Sequence, residues 1–416
     1  MTIEEILAMP EVERKIYYLK KGRKTEQPNA HALYNDWNPN KHEIVIDEEK
    51  YPKIKITTQP EKRITDPTTG KEYVEPAVRK EVDPNRIALP IEQDIVNIQT
   101  AFTVGTEPVL DCQPDESEES LLSTLKQVFK KNKLKYQNKK VVRAWLAEQE
   151  VAEYWYVVKD DGFWAKLKRK ISGIFGKSKP EYRLKSAIWS PFRGDKLYPF
   201  FNDQGDLVAL SREYKKKDLN DVEITCFMTI TKDMVYQWEL TSNWTDKGSF
   251  AHGFKKMPVI YMYRPEAYCE KIKSLRVRLE KLLSNYADCI DYHFFPILML
   301  FGNVENFSGE FKNRVVELTG QGANAQYLTW SQVPDTVKFE VETLLSQIYG
   351  LTNTPRISFD SLKGTGNAVS GVTFDYVFMS THLNVENLNE IVGEFMQRRV
   401  NFLVSALGSV NSTLEE

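Results

Sequence analysis

Apolar positions along this chain change their period several times, and each change marks a region. Residues 1 to about 85 carry few apolar runs among many Pro, Lys, Glu and Asn residues, so they read as an arm with little core of its own that packs on, or reaches to, a neighbour. Within it, Thr2 and Glu5 suit a capping box, and short strands fit His42 to Asp47 and Lys53 to Thr57. After Pro90, the residues Ile91, Ile95, Ile98 and Phe102 recur at helical spacing, and Gly105 ends that element. An acidic stretch, Asp111 to Glu119, precedes Leu121 to Ala147. The latter reads as two helices, with Leu122, Leu125 and Phe129, then Val142, Trp145 and Leu146, as their apolar faces.

From Val151 the period shortens to two. Val151 to Val158 is rich in aromatic and β-branched residues, and further strands fit Tyr182 to Trp189, Leu207 to Tyr214, Val222 to Ile230 and Met234 to Thr241. Asn202 to Gly205 and Asp246 to Gly248 read as turns between strands. This is an antiparallel β region, and Met257 to Tyr263 closes it. A long helix follows from about Glu266 to Phe295, with Ile272, Leu275, Leu279, Leu282, Tyr286, Cys289 and His293 along one stripe. Strand-like pieces fit Ile297 to Phe301, Arg314 to Leu318 and Gln326 to Trp330. A returning helix fits Thr336 to Tyr349, a Gly- and Ser-rich loop runs from Thr352 to Gly371, and a final long helix starts near Val372.

Composition narrows the class. With 416 residues the chain exceeds one ordinary core, and 41% hydrophobic with 27% charged residues fits a folded protein of two or three regions. A net charge of -2 gives no global attraction to nucleic acid or to an anionic membrane, so any DNA contact is local or weak. Cys112, Cys226, Cys269 and Cys289 stand far apart with no paired spacing, which argues against a zinc ribbon or a disulfide scaffold and for free thiols. No signal peptide begins the sequence. The most apolar run, Phe294 to Phe301, is far shorter than the roughly 20 residues of a membrane span and contains Pro296.

Catalytic chemistry is not legible. His31, His42, His252, His293 and His382 show no metal-ligand spacing, and no nucleophile elbow is present, so the reading is no catalytic residue, no metal and no cofactor. Gly366 and Gly371 have the spacing of a phosphate-binding loop, but Val372 stands where its lysine belongs. A flexible loop at a helix N-terminus explains the string better than nucleotide binding does. Three basic clusters invite a DNA reading: Leu121 to Ala147, Trp164 to Lys185, and Lys271, Lys273, Arg276, Arg278 and Lys281. For each, a solvated or inter-subunit face is the plainer account.

The order of elements carries more than any motif. An antiparallel β region feeds a long helix, a small β insertion, a returning helix, a glycine loop and a last long helix. Local strings agree with it. Asn85, Arg86 and Ile87 lead to the Ile91 helix and to Thr103, Val104 and Gly105. Asn138 and Lys139 begin a helix that runs through Glu148 into the Val151 strand, and Phe254, Met257, Pro258, Val259 and Ile260 precede the long helix. Ile348, Thr354, Pro355, Ser358, Phe359, Asp360, Gly364, Asn367, Ser370, Gly371 and Val372 follow in order. In this the chain resembles the portal proteins of tailed bacteriophages, of the long-tailed siphophage type, over roughly residues 85 to 405. The basic insertion at Trp164 to Lys185 has no counterpart in that pattern.

The resemblance implies an α+β, portal-type fold with a β-rich wing, a two-helix stem, a small β-containing clip, a tunnel loop and a long C-terminal helix. The regions would be an N-terminal arm at 1–84, the wing at 85–262, stem helices at 263–295 and 333–351, the clip at 296–332, the tunnel loop at 352–371, and a long wing helix at 372–416 with little chain for a crown. It implies a non-enzymatic ring of about twelve copies at a capsid vertex, a conduit for DNA packaging and ejection. Its partners would be itself, the major capsid and scaffolding proteins, the terminase large subunit, a head-tail adaptor and double-stranded DNA, with no membrane. It would reside in the virion, and in the host cytoplasm during assembly. Ser361, Lys363, Gly364, Gly366 and Asn367 would face the DNA. Ile272, Leu275, Leu279, Leu282 and Tyr286 would join neighbouring stems, and Val304, Phe307, Phe311 and Lys312 would dock partners at the clip. The competing readings are another structural virion protein, such as an adaptor or minor capsid protein, and a nucleotide-dependent DNA enzyme using Gly364 to Gly371.

Overall fold

The structure is a computed structural model. It describes residues 1–410 except 60, 66, 68–69, 71, 111, 116–117, 160–181, 218–219, 294–296, 308–315, 329–333 and 357–370. Helices and strands are mixed, as the α+β reading expects. The chain divides into two units. The first comprises Met1–Trp37, Pro90–Lys271 and Tyr349–Glu416, and the second Asn38–Leu89 and Ile272–Ile348.

The first unit is built in layers. Its centre is a five-stranded antiparallel sheet of β7 (Lys196–Phe201), β8 (Leu207–Lys217), β9 (Glu223–Thr231), β10 (Met234–Leu240) and β11 (Trp244–Ala251), in the spatial order β11-β10-β9-β8-β7. Alternation along each strand sends side chains to opposite faces. Leu197, Leu210, Met228, Ile230 and Val235 meet Ala152, Trp189, Val259 and Tyr261 of a second sheet. That sheet holds β5 (Glu150–Lys159), β6 (Tyr182–Trp189) and β12 (Val259–Tyr263), ordered β12-β5-β6. The other face of the large sheet presents Ala209, Phe227 and Trp238. Ile3 and Ile6 of α1 (Ile3–Leu7) and Ile16 and Leu19 of α2 (Val12–Lys21) cover it. The N-terminal residues are thus part of this core. Burying such a side chain contributes about 1.5–3 kcal/mol each.

Local chemistry fits this layer. The Thr2 hydroxyl and the Glu5 carboxylate form the expected capping box on α1. Gly22 ends α2 where a Cβ would lie 2.2 Å from the Phe200 ring, so only glycine lets the helix end lie on β7. The Arg23 guanidinium donates to buried Glu150 at 2.7 Å, and the Tyr261 hydroxyl donates to the same carboxylate.

On the far side of the smaller sheet, Val151, Glu153 and Trp155 face helices. Further helices of this unit are α3 (Ala30–Trp37), α5 (Ile91–Val104), α6 (Glu119–Asn132), α7 (Leu134–Glu148) and α10 (Gly371–Val410). Arg399 of α10 donates to Glu153 at 2.6 Å and also to Asn138 of α7, all fully buried. Trp155 packs on Phe402. Such a buried pair is costly to break from one side, because the remaining charge is left desolvated.

The second unit contains α4 (Glu43–Ile46), a ribbon of β1 (Ile54–Gln59) with β4 (Val78–Val82) continued by β2 (Lys62–Thr65) with β3 (Glu72–Glu75), the helix α8 (Lys273–His293), the β13 (Ile297–Phe307) and β14 (Val316–Leu328) pair, and α9 (Pro334–Leu351), which ends in the first unit. Its described core combines Ile44, Ile272, Leu279, Leu344 and Ile348 with a buried polar set. Arg276, Glu280 and Ser284 follow at helical spacing on α8, all buried. Glu280 bonds Arg276 at 3.2 Å, accepts from Leu89 N–H at 2.8 Å and meets His42 Nδ1 at 2.6 Å, while Ser284 accepts from Ile87 N–H.

Several expectations are revised. His42 to Asp47 is not a strand: His42 C=O accepts from Val45 and Ile46 N–H in a helical turn, and the His42 ring is drawn into contact with Glu280. Asp246 to Gly248 is not a turn but a bulge inside β11, with Gly248 at φ +95° and the Asp246 carboxylate accepting from its N–H. Asn202 to Gly205 is a turn as expected. β7 went unread because Pro199 interrupts it, a residue tolerated there because β7 is an edge strand. The described parts of the two pieces, Val316 to Leu318 and Gln326 to Leu328, belong to one strand, β14, and the rest of both lies outside the described residues.

Candidate functional site

The last turn of α9 is held by a buried polar clamp. Asn353 has a left-handed backbone (φ +46°) and ends the helix, and Thr354 N–H donates to Tyr349 C=O. The exposed carbonyls and hydroxyls of this turn need partners once buried. Gln99 of α5 supplies them. Its Nε2 donates to Thr352 C=O at 3.1 Å, to Asn353 C=O at 3.1 Å and to the Thr354 hydroxyl at 2.9 Å. The Tyr268 hydroxyl donates to Thr352 C=O at 2.6 Å. Thr381 and Asn384 of α10 complete the set: Thr381 Oγ1 donates to Asn353 C=O, and Asn384 Nδ2 donates to Gln99 Oε1 and to the Tyr268 oxygen. Gln99, Tyr268, Thr352, Thr354 and Thr381 are all buried.

The clamp's hydrogen-bonding side chains carry no charge of their own. Burial raises the Tyr268 hydroxyl to about 12, with the Asn384 hydrogen bond acting the other way, so it remains a donor at any physiological pH. Burial also raises the Tyr349 hydroxyl, which donates to Asp94 of α5 at 2.8 Å. Arg264 lies against the Trp145 and Tyr268 rings at 5.2 and 5.1 Å and braces the tyrosine from the side. The arrangement binds the end of α9, the body of α10 and α5 into one hydrogen-bonded set, on either side of segment 357–370 in the sequence. It contains no nucleophile–base pair. No group of His, Cys, Asp and Glu suited to a metal ion occurs among the described residues.

Of the site residues read from the sequence, Ser361, Lys363, Gly364, Gly366 and Asn367 lie outside the described residues, as do Phe311 and Lys312. Val304 and Phe307 are in β13, opposite Leu318 and Val316. Ile272, just before α8, and Leu279 on it are fully buried within the chain, while Leu275, Leu282 and Tyr286 of α8 keep part of their surface. The basic cluster on this helix is partly committed: Arg276 is buried against Glu280, and Arg278 pairs with Glu340 of α9 at 2.6 Å. Most of the Trp164 to Lys185 cluster lies outside the described residues.

The sequence reading missed the clamp. The helical spacing rests on Ile91, Ile95, Ile98 and Phe102, of which Ile98 and Phe102 are half-buried, and the buried face carries Glu92, Gln99 and Thr100 beside Ile91, Ile95 and Val96. The available signal was Gln99 falling on the stripe that includes Ile95. Among the described residues, no helix is long and apolar enough to cross a membrane.

The family described as phage portal protein, SPP1 Gp6-like, matches residues 40–416. No curated protein matches the chain significantly.

Proposed function

The chain belongs to the SPP1 Gp6-like family of phage portal proteins, and on that premise we propose that its copies close into a ring of about twelve at a capsid vertex and form the channel for DNA packaging and ejection. Members of this family are structural, non-enzymatic components of the virion capsid that self-assemble. In this reading 85–262 is the wing and 372–416 its long helix, 263–295 and 333–351 form the stem, and 296–332 forms a clip that docks the terminase motor and the head-tail adaptor. The segment 352–371 is the tunnel loop, with Lys363 making transient phosphate contacts.

The observation that supports this most is the clamp of Gln99, Tyr268, Thr381 and Asn384 on Thr352 to Thr354. It fixes the root of the proposed loop in a buried hydrogen-bonded set, so the beginning of the loop stays in place while the residues beyond it meet moving DNA. Leu275, Leu282 and Tyr286 have surface left for a neighbouring stem, while Ile272 and Leu279 stiffen the helix from inside.

The test is a top view of the purified particle by electron microscopy together with native mass measurement. Rings with a central channel are expected, and a population of monomers and dimers alone overturns the reading. Lys363→Ala is expected to leave the ring intact and slow packaging. Normal packaging by that variant removes the loop assignment.

A further inference from the structure

The helix α10 has two sharply different sides. Val385, Leu388, Val392 and Phe395 are buried. On the opposite side Met379, Leu383, Glu386, Glu390 and Glu394 are exposed, Leu383 at 60%. At 100° per residue these five fall within an arc of about 80°, one straight stripe. Gly393 lies on the same stripe, and a Cβ there would meet nothing within 4 Å. Among the described residues nothing crowds this position, so the surface beside the stripe is open. Arg398 pairs with Glu394, while Glu386 and Glu390 have no ion-pair partner among the described residues.

The same unit carries the opposite pattern on α6 and α7. Lys126 and Lys130 stand four residues apart on an exposed edge of α6, Lys133 follows it at the left-handed link to α7, and Tyr136, 63% exposed, and Lys140 stand four apart on α7. None of these lysines has an ion-pair partner among the described residues. Charges four residues apart on a helix are spaced about 6 Å along its axis, so the pair Lys126 and Lys130 has the pitch of the pair Glu386 and Glu390. Each row has apolar surface within it: Met379 and Leu383 on one, Tyr136 on the other.

We propose that the acidic stripe of α10 docks on the basic α6–α7 edge of a second copy of this chain, as a head-to-tail contact of the ring. The proposal rests on the ring reading above. Two different, mutually complementary surfaces on one chain are what a heterologous contact requires, and such contacts form a ring where the rotation between copies closes. An acidic stripe repels DNA, so nucleic acid cannot be the common partner of both surfaces. With a net charge of -2, the chain holds the counter-charge for each face itself. Complementary rows also fix register and suppress wrong pairings.

The test uses two full-length variants, Glu386→Lys with Glu390→Lys, and Lys126→Glu with Lys130→Glu. All four side chains are exposed, so circular dichroism should match that of the unaltered chain. Native mass spectrometry is expected to show the ring for the unaltered chain and an assembled fraction about tenfold or more lower for either variant alone. An equal mixture of the two variants should recover rings that contain both in equal number, because every contact in an alternating ring then joins opposite charges. The contact is overturned if either variant closes alone as well as the unaltered chain does, or if the mixture stays dissociated. If the lysine variant assembles normally but no longer retains DNA, the basic edge is a nucleic-acid surface and the proposal falls. If the unaltered chain is only monomeric, the ring reading itself falls first.

Discussion

The five-stranded sheet and the β1–β4 ribbon obey the same alternation with opposite results. In the sheet both faces are covered within the chain, by α1 and α2 on one side and by β12, β5 and β6 on the other. In the ribbon, Ile54 stands opposite Val82 and Gln59 opposite Val78, while the pair Lys55 and Glu81 lies on the alternate face; Ile54, Val78 and Val82 are all exposed. A two-stranded ribbon has little stability by itself. The contrast teaches that an apolar alternation specifies a face to be covered, and that stability arrives only with the layer that covers it.

Removing Met1 to Trp37 attacks the comparison hardest, because it would turn the sheet face of Phe227 and Trp238 into an uncovered one. The truncated chain is expected to aggregate or to bind a hydrophobic dye strongly, and a soluble, dye-free product would refute the role given to α1 and α2. Phe227→Ala keeps the layers but opens a cavity between them. A loss of about 3–5 kcal/mol is expected in denaturant unfolding.

Covering also shows in titration. Glu148, at the end of α7, is raised from its ordinary 4.5 to about 7, chiefly by burial, while Phe192 N–H at 2.7 Å opposes the shift. The native state therefore holds this proton more tightly than the unfolded chain does. Its contribution is intact below about pH 4.5 and declines as pH rises to about 7, by about 3 kcal/mol in all. Glu148→Gln retains an acceptor for Phe192. Its unfolding free energy should fall less between pH 4.5 and 7 than that of the unaltered chain, and an unchanged slope would exclude the residue as the source.

Gln99→Leu is expected to cost about 0.5–1.5 kcal/mol by removing its hydrogen bonds to Thr352 and Asn353, whose carbonyls keep Tyr268 and Thr381 as donors, measured as a lower melting temperature. The smallest effect is expected in the ribbon. Val78→Thr should change the stability of the separated chain by about 0.5 kcal/mol or less, since the residue is exposed there. A large loss at that position would mean that the ribbon is covered within the chain after all.

The sequence by itself determined the larger elements. The period-two runs at Val151, Leu207, Val222 and Met234, the helices after Pro90 and Leu121, and the final helix from Gly371 all follow from local pattern, because side-chain alternation and helical stripes are properties of a few adjacent residues. The order of those elements was also enough to suggest the family that matches residues 40–416. Only the tertiary structure decided what the polar residues do. Gln99 reads as one amide in an apolar helix until Thr352 to Thr354, some 250 residues later, bring it three acceptors. His42 lies in a β-branched run that favours a strand, and Glu280, distant in sequence, helps draw it into a helical turn. A buried polar group must find a partner, and nothing in the local pattern says where in the chain that partner lies.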